Sequence, residues 1–262
     1  MRSASNRIAS PNPASRLGQF AFSKSSDMNL PENDRIPAMR FRMGGMSLRF
    51  PAQLMEGYGH YLNRGFVRYK ETHERLAVYG QKPEVMVISC CDSRVTPEGI
   101  FHVGPGELFV VRNVANLVPP YEDTDGQHGT SAAIEFAVNS LKVKHIIVMG
   151  HGQCGGVKAF REHANDPMAT GQFIGRWIKL LEPAAIAMAC MPVDKADDPQ
   201  LAMEYAGVRQ SLKNLMTFPF IAKAVQQGGL ELHGSWFDIG SGELRIMDPE
   251  SERFETAIPE AV

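Results

Sequence analysis

Three short apolar runs rich in β-branched residues constrain the fold of this sequence most strongly. They cover residues 85–89, 108–111 and 145–149, and each contains two or three Val or Ile residues. Such runs are typical of buried strands in a parallel sheet. The chain therefore needs helices to cover both faces of that sheet.

Segments with helical spacing separate the runs. Apolar residues at Ala133, Ala137 and Leu141 recur at four-residue steps, and a further helix is predicted from Gly155 onward. Two later runs, residues 230–237 and 244–247, flank a Gly-Ser-Gly turn that is typical of a hairpin. We therefore predict an α/β fold: a mostly parallel sheet flanked by helices, with an antiparallel edge strand.

The residues before the first run divide into a tail and a helical extension. From about residue 50, Leu54, Tyr58 and Leu62 recur at helical spacing. Residues 1–45 differ in composition from the rest, so we expect a disordered or processed tail there and a single α/β domain over residues 46–262. The first 26 residues hold four basic residues and no acidic one, as in a transit peptide, but show no clear amphipathic repeat. We therefore expect a cytoplasmic protein.

Charge and cysteine content narrow the class of protein further. The formal net charge is −2, which gives no support to nucleic-acid binding. No apolar run approaches the roughly 18 residues that predict a membrane span. Four cysteines are too few and too unevenly spaced for a disulfide framework, so metal ligands or core residues are the better interpretation.

Candidate metal ligands follow two of the predicted strands. Cys90 and Cys91 come directly after the first run, and His151 and Cys154 come after the third. Because the carboxyl ends of parallel strands meet at one edge of a sheet, these side chains can share a crevice. Two thiolates and an imidazole are a ligand set that Zn²⁺ accepts, with a fourth position left open. Taken alone, a cysteine at a strand end is more often core, and His-x-x-Cys is a weak zinc signal.

The same loop also matches a dinucleotide-binding pattern. Residues 150–155 read G-x-G-x-x-G between a predicted strand and a predicted helix. That fingerprint also needs an acidic residue about 20 positions later, where a strand would end. Residues 172–179 contain no acid. We therefore reject nucleotide binding.

Asp92 and Arg94 lie on the same loop as the first cysteine pair. A guanidinium paired with the carboxylate would keep it ionised and fix its position. The carboxylate could then accept a hydrogen bond beside the open position on the metal. A salt bridge that only holds the turn is an equally good interpretation of these two residues alone.

Together these motifs resemble those of the β-class carbonic anhydrases. The pattern C-x-D-S-R at residues 90–94 and H-x-x-C-G-G at residues 151–156 is that family's signature, and residues 106–121 are similar to its central segment. The resemblance implies one zinc ion per chain, held by Cys90, His151 and Cys154, and the reversible hydration of CO₂ to bicarbonate. It is the resemblance that selects Cys90 over Cys91.

The resemblance also implies roles for further residues. Asp92 and Arg94 become a catalytic pair, and a substrate pocket falls on these positions: Gln81, Phe109, Val114, Phe136 and Gly155. The family implies a homodimer or homotetramer.

A second subtype of the family closes its site by moving the Asp onto zinc, and it binds bicarbonate at a Trp, an Arg and a Tyr. Here those positions read Val87, Arg112 and Phe136, so we expect the open, plant-like subtype, with Asp92 paired to Arg94. Two alternatives remain: a related zinc hydrolase acting on CS₂ or COS, and a zinc-binding protein without catalytic activity.

Overall fold

The predicted apolar runs form the central strands of one sheet. The computed structural model describes residues 50–190 and 198–258. The strands found in these ranges are β1 (Val85–Cys90), β2 (Leu108–Asn113), β3 (His145–His151), β4 (Glu231–Phe237), β5 (Leu244–Met247) and β6 (Phe254–Thr256). In the sheet they take the order β2-β1-β3-β4-β5-β6. Strands β1 to β4 pair in parallel, and β5 and β6 continue the sheet antiparallel.

The described helices follow the segments between strands. They are α1 (Ala52–His60), α2 (Phe66–Arg68), α3 (Lys70–Tyr79), α4 (Pro97–Ile100), α5 (Gly129–Glu135), α6 (Gly155–Glu162), α7 (Gln172–Ile178), α8 (Glu182–Cys190), α9 (Pro199–Leu215) and α10 (Pro219–Gln226). A π-helical turn, Phe136–Leu141, extends α5. No helix in the described ranges is both long and apolar enough to cross a bilayer.

The described residues belong to two compact units, one ending at His60 and the other beginning at Tyr61. Helix α1 lies in the first unit, and its Leu54 and Tyr58 side chains are exposed. The predicted tail over residues 1–45 and the predicted boundary at residue 46 lie outside the described residues, so both stay predictions.

The predicted α/β architecture is confirmed. Alternate side chains of the central strands point to opposite faces, so Met86 and Ile88 join one buried cluster while Val87 joins another. The first cluster also contains apolar residues of α9 and α10. The antiparallel edge has two strands rather than one. The last strand, β6, reads Phe-Glu-Thr, which is too short and polar for its pattern to predict a strand.

The topology of the sheet places the predicted ligands at one crevice. Strand β1 lies between β2 and β3, so the direction of strand addition reverses there. In open α/β sheets, ligands bind outside the carboxyl ends of the strands at such a reversal. Cys90 is the last residue of β1 and His151 is the last residue of β3.

Candidate metal centre

Three potential metal ligands converge at this crevice. One ligand atom from each of Cys90, His151 and Cys154 lies within 4.8 Å of the other two, and all three residues are buried. The two Sγ atoms are 3.9 Å apart. Cys91 has an exposed side chain and does not belong to this group. The structure thus brings together the three residues that the family pattern selects.

The buried His151 ring supplies the strongest sign that the group fits a metal. Its Nδ1 lies 2.9 Å from the carbonyl oxygen of Gly152, an acceptor that fixes the proton on Nδ1. Its Nε2 is buried and has no hydrogen-bond partner among the described residues. A buried polar atom without a partner costs about 1–3 kcal/mol, so its lone pair needs a ligand. A zinc ion held by the same ring and two thiolates would satisfy it.

The Cys90 sulfur is held in a form that suits metal binding. The amide of Ala115 donates to this sulfur over 3.3 Å, from a residue with a φ of 63°. The close pairing of the two sulfurs lowers the pKa of Cys90 and raises the pKa of Cys154. One sulfur of the pair is therefore a thiolate without metal, and a metal ion would displace the thiol proton that remains.

Cys154 immediately precedes helix α6, whose first amides face its sulfur. The amides of Gly156 and Val157 act on the Cys154 sulfur and favour its thiolate, as helix N-termini do. The Cys154 backbone amide donates to Glu204 Oε1 over 2.9 Å. The position of the second thiol is thus fixed from both sides.

Glu204 connects the metal group to helix α9 and strand β4. It is only 3 % exposed and accepts hydrogen bonds from the Cys154 amide, from Gln200 Nε2 at 2.8 Å and from Trp236 Nε1 at 3.0 Å. Burial raises the pKa of Glu204, although these three donors oppose the shift. Gln200 also donates to the Cys154 carbonyl oxygen over 3.2 Å. This network was not predicted from the sequence.

Asp92 and Arg94 form a bidentate ion pair beside the group. Arg94 Nη2 lies 2.7 Å from Asp92 Oδ2, and both Nε and the backbone amide of Arg94 donate to Oδ1, at 2.9 and 3.0 Å. These hydrogen bonds hold the pKa of Asp92 well below its ordinary value. Arg94 Nη2 also donates to the Gln153 carbonyl oxygen over 3.3 Å, which connects the two loops that carry the ligands.

Arg112 fixes the loop that follows Cys90. Its guanidinium donates to three carbonyl oxygens of that loop, those of Cys90, Asp92 and Val95, at 3.0, 2.7 and 2.6 Å. The loop can therefore keep its conformation without secondary structure of its own. The role of Arg112 was also missed from the sequence, since the pattern gives no sign of which carbonyls it reaches.

Two of the predicted pocket residues lie close to the metal group. Val114 follows β2 directly, and a Cβ built on Gly156 would meet Val114 Cγ1 at 2.7 Å, so this side chain packs on the start of α6. The Val114 carbonyl oxygen accepts a hydrogen bond from Trp177 Nε1 at 2.7 Å. Gly155 is exposed and begins α6 next to Cys154.

The other three predicted pocket residues lie elsewhere in the same chain. Gln81 precedes β1, so the length of that strand, about 16 Å, separates this region from Cys90. Phe109 lies early in β2, opposite Met86 rather than Cys90. Its ring packs against Phe136 with centroids 5.9 Å apart, and Phe136 is 47 % exposed. One chain alone does not bring these three residues to the metal group.

The glycine-rich loop carries metal ligands instead of a nucleotide cradle. Residues 150–155 do form a strand, turn and helix, as the fingerprint requires. However, His151 and Cys154 point into the metal group, and residues 172–178 lie in helix α7 rather than at a strand end.

The sequence and the fold are similar to those of known proteins. The family model described as carbonic anhydrase matches residues 85–244. Among curated relatives, beta carbonic anhydrase 5, chloroplastic, of Arabidopsis thaliana is 38 % identical over 167 residues, 63 % of this chain and 54 % of the relative. Beta carbonic anhydrase 6, mitochondrial, of the same plant is 37 % identical over 175 residues, 66 % and 59 %. The chain thus spans little more than half the length of these relatives.

Two solved structures share the fold. The β-carbonic anhydrase CcaA is 30 % identical with a TM-score of 0.72, covering 79 % of this chain and 92 % of that one. A tetrameric β-carbonic anhydrase of the fungus Sordaria macrospora is 31 % identical with a TM-score of 0.63, covering 74 % and 95 %.

The comparisons correct one expectation. Both plant relatives are named for organelles, which contradicts the predicted cytoplasmic location. The basic, acid-free composition of the first 26 residues was the one sign in the sequence that pointed towards an organelle.

Proposed function

The chain belongs to the β-class carbonic anhydrase family, and we propose that it catalyses the zinc-dependent, reversible hydration of CO₂ to bicarbonate and a proton. The observation that carries the proposal is the buried His151 Nε2, which lacks a partner among the described residues and faces two sulfur atoms. A storage or structural site would need no ionised carboxylate on the ligand loop, and Asp92 supports catalysis instead.

Cys90, His151 and Cys154 would hold the zinc ion and leave one coordination position open. When bound, zinc supplies the Lewis acidity that lowers the pKa of a water molecule towards about 7. The hydrogen bonds to Gly152, Ala115 and Glu204 keep the three ligand residues in place before the ion arrives. Such outer contacts orient ligands and tune the affinity of a metal site.

Asp92 is suited to orient the attacking water. An ionised carboxylate has about four acceptor positions, and Arg94 already occupies three of them. The position that is left, on Oδ2, can accept one hydrogen bond from the water beside the metal. Because Arg94 keeps the pKa of Asp92 low, the carboxylate stays an acceptor throughout the neutral range.

The proposed substrate pocket includes residues of a partner subunit. Val114 and Gly155 lie beside the metal group of their own chain, whereas Gln81, Phe109 and Phe136 lie away from it. A second chain packed across the crevice could bring these three residues to it, as the implied homodimer or homotetramer allows. The tetrameric relative from Sordaria macrospora supports such an assembly.

The contacts of Arg112 favour the open subtype. Its guanidinium donates from Nε and Nη2 to three loop carbonyls, so only Nη1 is left to bind bicarbonate as the second subtype requires. The other two positions of that subtype hold Val87, which is fully buried, and Phe136, which has no hydroxyl group. We propose that Asp92 remains paired with Arg94 during turnover.

An organellar location is part of the proposal, supported by the names of the two plant relatives. A fluorescent protein carrying residues 1–49 at its N-terminus should enter chloroplasts or mitochondria of plant cells. The same fusion with Arg2, Arg7 and Arg16 changed to Glu should stay in the cytosol.

A stopped-flow CO₂ hydration assay tests the activity. Asp92→Asn keeps the size of the side chain but removes the charge, and we expect kcat/KM to fall by about 10²-fold or more, as for the loss of a positioned acid–base group. The zinc content should equal that of the wild type. Asp123→Asn, on an exposed loop, is the matched control and should keep full activity. A zinc-loaded wild type that does not hydrate CO₂ would refute the proposal, and turnover of CS₂ or COS would then replace it.

A further inference from the structure

A second group of potential metal ligands lies at the opposite end of the sheet. His145 is the first residue of β3, and Glu231 and His233 are the first and third residues of β4. His145 pairs with Glu231 and Ile147 pairs with His233 in the parallel register. Alternation along β4 therefore places all three side chains on one face of the sheet. About six residues of β3, roughly 20 Å, separate this group from His151.

We propose that His145, Glu231 and His233 form a second binding site for a divalent transition-metal ion such as Zn²⁺. The site is separate from the catalytic group and does not depend on the proposed hydration activity. One ligand atom of each residue lies within 4.8 Å of the other two. Two imidazoles and a carboxylate are a set that Zn²⁺ accepts with one open position.

The distances agree with such a site. His145 Nδ1 lies 3.2 Å from His233 Nε2, and Glu231 Oε2 lies 3.6 and 3.7 Å from these two nitrogens. Ligands bound tetrahedrally to Zn²⁺ at about 2.0–2.1 Å are about 3.3–3.4 Å apart. The three atoms thus require shifts of a few tenths of an ångström to hold an ion. The pairing of β3 with β4 sets this spacing, because both histidines lie at paired positions of the two strands.

Solvent also has access to the three side chains. The side chains of His145, His233 and Glu231 are 36 %, 39 % and 66 % exposed, so an ion can reach them from solvent.

A cavity beside the two histidines provides room for further ligands. It has a volume of about 340 Å³, and its lining includes both imidazoles together with apolar side chains such as Val85, Phe101 and Ile147. A water molecule in the cavity could occupy the open position on the metal. Oxygen-preferring ions such as Mg²⁺ are not expected to bind, because two of the three ligands are imidazoles.

Equilibrium dialysis of the full-length holoenzyme against buffered Zn²⁺ tests the proposal. The wild type should bind one zinc ion more than the catalytic site holds, and excess Mg²⁺ should not compete for it. His145→Gln and His233→Gln should each lose that additional ion. His163→Gln, which removes an exposed histidine at the end of α6, is the matched control and should retain it.

Thermal unfolding and the CO₂ hydration assay distinguish the possible outcomes. Thermal unfolding checks that each variant is folded, and added Zn²⁺ should raise the melting temperature of the holoenzyme but not of the two site variants. All variants should hydrate CO₂ at the wild-type rate. If the holoenzyme takes up no additional zinc, or if both site variants still bind it, the group is only a hydrogen-bonded cluster and the proposal fails. If the protein takes up the second ion but does not hydrate CO₂, the proposed function is wrong and the second metal site stands.

Discussion

Glu204 links the metal-binding loop to the core through a single carboxylate. Its three hydrogen-bond donors are the Cys154 amide, Gln200 and Trp236. In Glu204→Gln, one carboxylate oxygen becomes an amide group that donates, so at least one of these donors faces another donor. A buried donor without an acceptor costs about 1–3 kcal/mol, and we expect the free energy of unfolding to fall by this amount. Urea denaturation of the zinc-loaded protein measures it.

The control for this prediction is Glu162→Gln, at the exposed end of α6. In the part of the chain that the structure describes, Glu162 forms a solvent-exposed pair with Lys158 at 3.7 Å, which contributes little. If the two variants lose equal stability, the Glu204 network does not hold the Cys154 loop. Chelator competition should also show weaker zinc binding by Glu204→Gln, since the loop would lose its anchor.

The metal ligands could be predicted from the sequence, but the residues that hold them in place could not. Cys90, His151 and Cys154 stand in short motifs at predicted strand ends, so local pattern and topology suffice to bring them together. Glu204 lies 50 residues after Cys154 and contacts it only through the packing of α9. The one available signal was an acidic residue in an otherwise apolar stretch, Ala-Met-Glu-Tyr-Ala, which indicates a buried partner.

At the level of elements, the close contact between β3 and α9 determines how His151 is placed. A Cβ added to Gly150 would lie 2.8 Å from Val208 Cγ2 on α9. Gly150→Ala should therefore lower the free energy of unfolding by about 1–3 kcal/mol through overpacking. It should also weaken zinc binding, because His151 is the next residue. Gly129→Ala, where an added Cβ meets nothing within 4 Å, is the matched control and should be neutral or stabilising.

The antiparallel edge of the sheet contains an acid-sensitive connection. Glu243 accepts hydrogen bonds from Arg245 at 2.9 and 3.2 Å and from the Thr256 hydroxyl on β6. Arg245 and Thr256 lower the pKa of Glu243 from 4.5 to about 2. Because the folded pKa lies below the unfolded one, the stabilisation is complete above pH 4.5 and is lost as the pH falls towards 2.

This connection predicts a pH-dependent difference between two proteins. Glu243→Gln should be less stable than the wild type at pH 7, and the gap in unfolding free energy should narrow steadily below about pH 4.5. Urea titrations between pH 7 and pH 3 measure the gap. Glu250→Gln, on the exposed turn after β5, should show no such trend. A gap that stays constant with pH would contradict the assignment to Glu243.

Sequence patterns predicted some strands and helices better than others. Strands β1 to β3 contain continuous apolar runs, and they were predicted to within two residues at each end because burial leaves a clear signal. Strand β4 was predicted equally well, although it also contains polar residues. The helices between residues 163 and 229 were not predicted. Helix α9 illustrates why: it is buried on most of its surface, so its apolar residues do not form a single stripe.

At the scale of the whole molecule, the sheet separates two groups of ligands by the length of a strand. The metal group of Cys90, His151 and Cys154 lies at the carboxyl end of β3, where backbone and side-chain contacts bury it. The proposed second site lies at the amino end of the same strand and stays open to solvent. The first is therefore shielded from solvent, whereas an ion can reach the second directly.

The position of Gln81 leads to a prediction about the assembly. Gln81 precedes the amino end of β1, whereas Cys90 and Asp92 lie at and just beyond its carboxyl end. If Gln81 contacts substrate, it must act on the metal group of a partner chain. Two defective chains could then complement each other: Asp92→Asn provides an intact Gln81, and Gln81→Ala provides an intact Asp92. In a mixed dimer, one of the two sites would have every wild-type residue.

Co-expression of the two chains with different affinity tags isolates such dimers. We expect the purified mixed dimer to have about half of the wild-type kcat/KM per chain, because one of its two related sites is complete. Each parent homodimer should have far less. If Gln81 acted within its own chain, the Gln81→Ala subunit would keep its defect and the mixture would show only the average of the two parents. The stopped-flow assay distinguishes these results. Complementation gives a kcat/KM per chain above the average of the two parents, whereas action within one chain gives no more than that average.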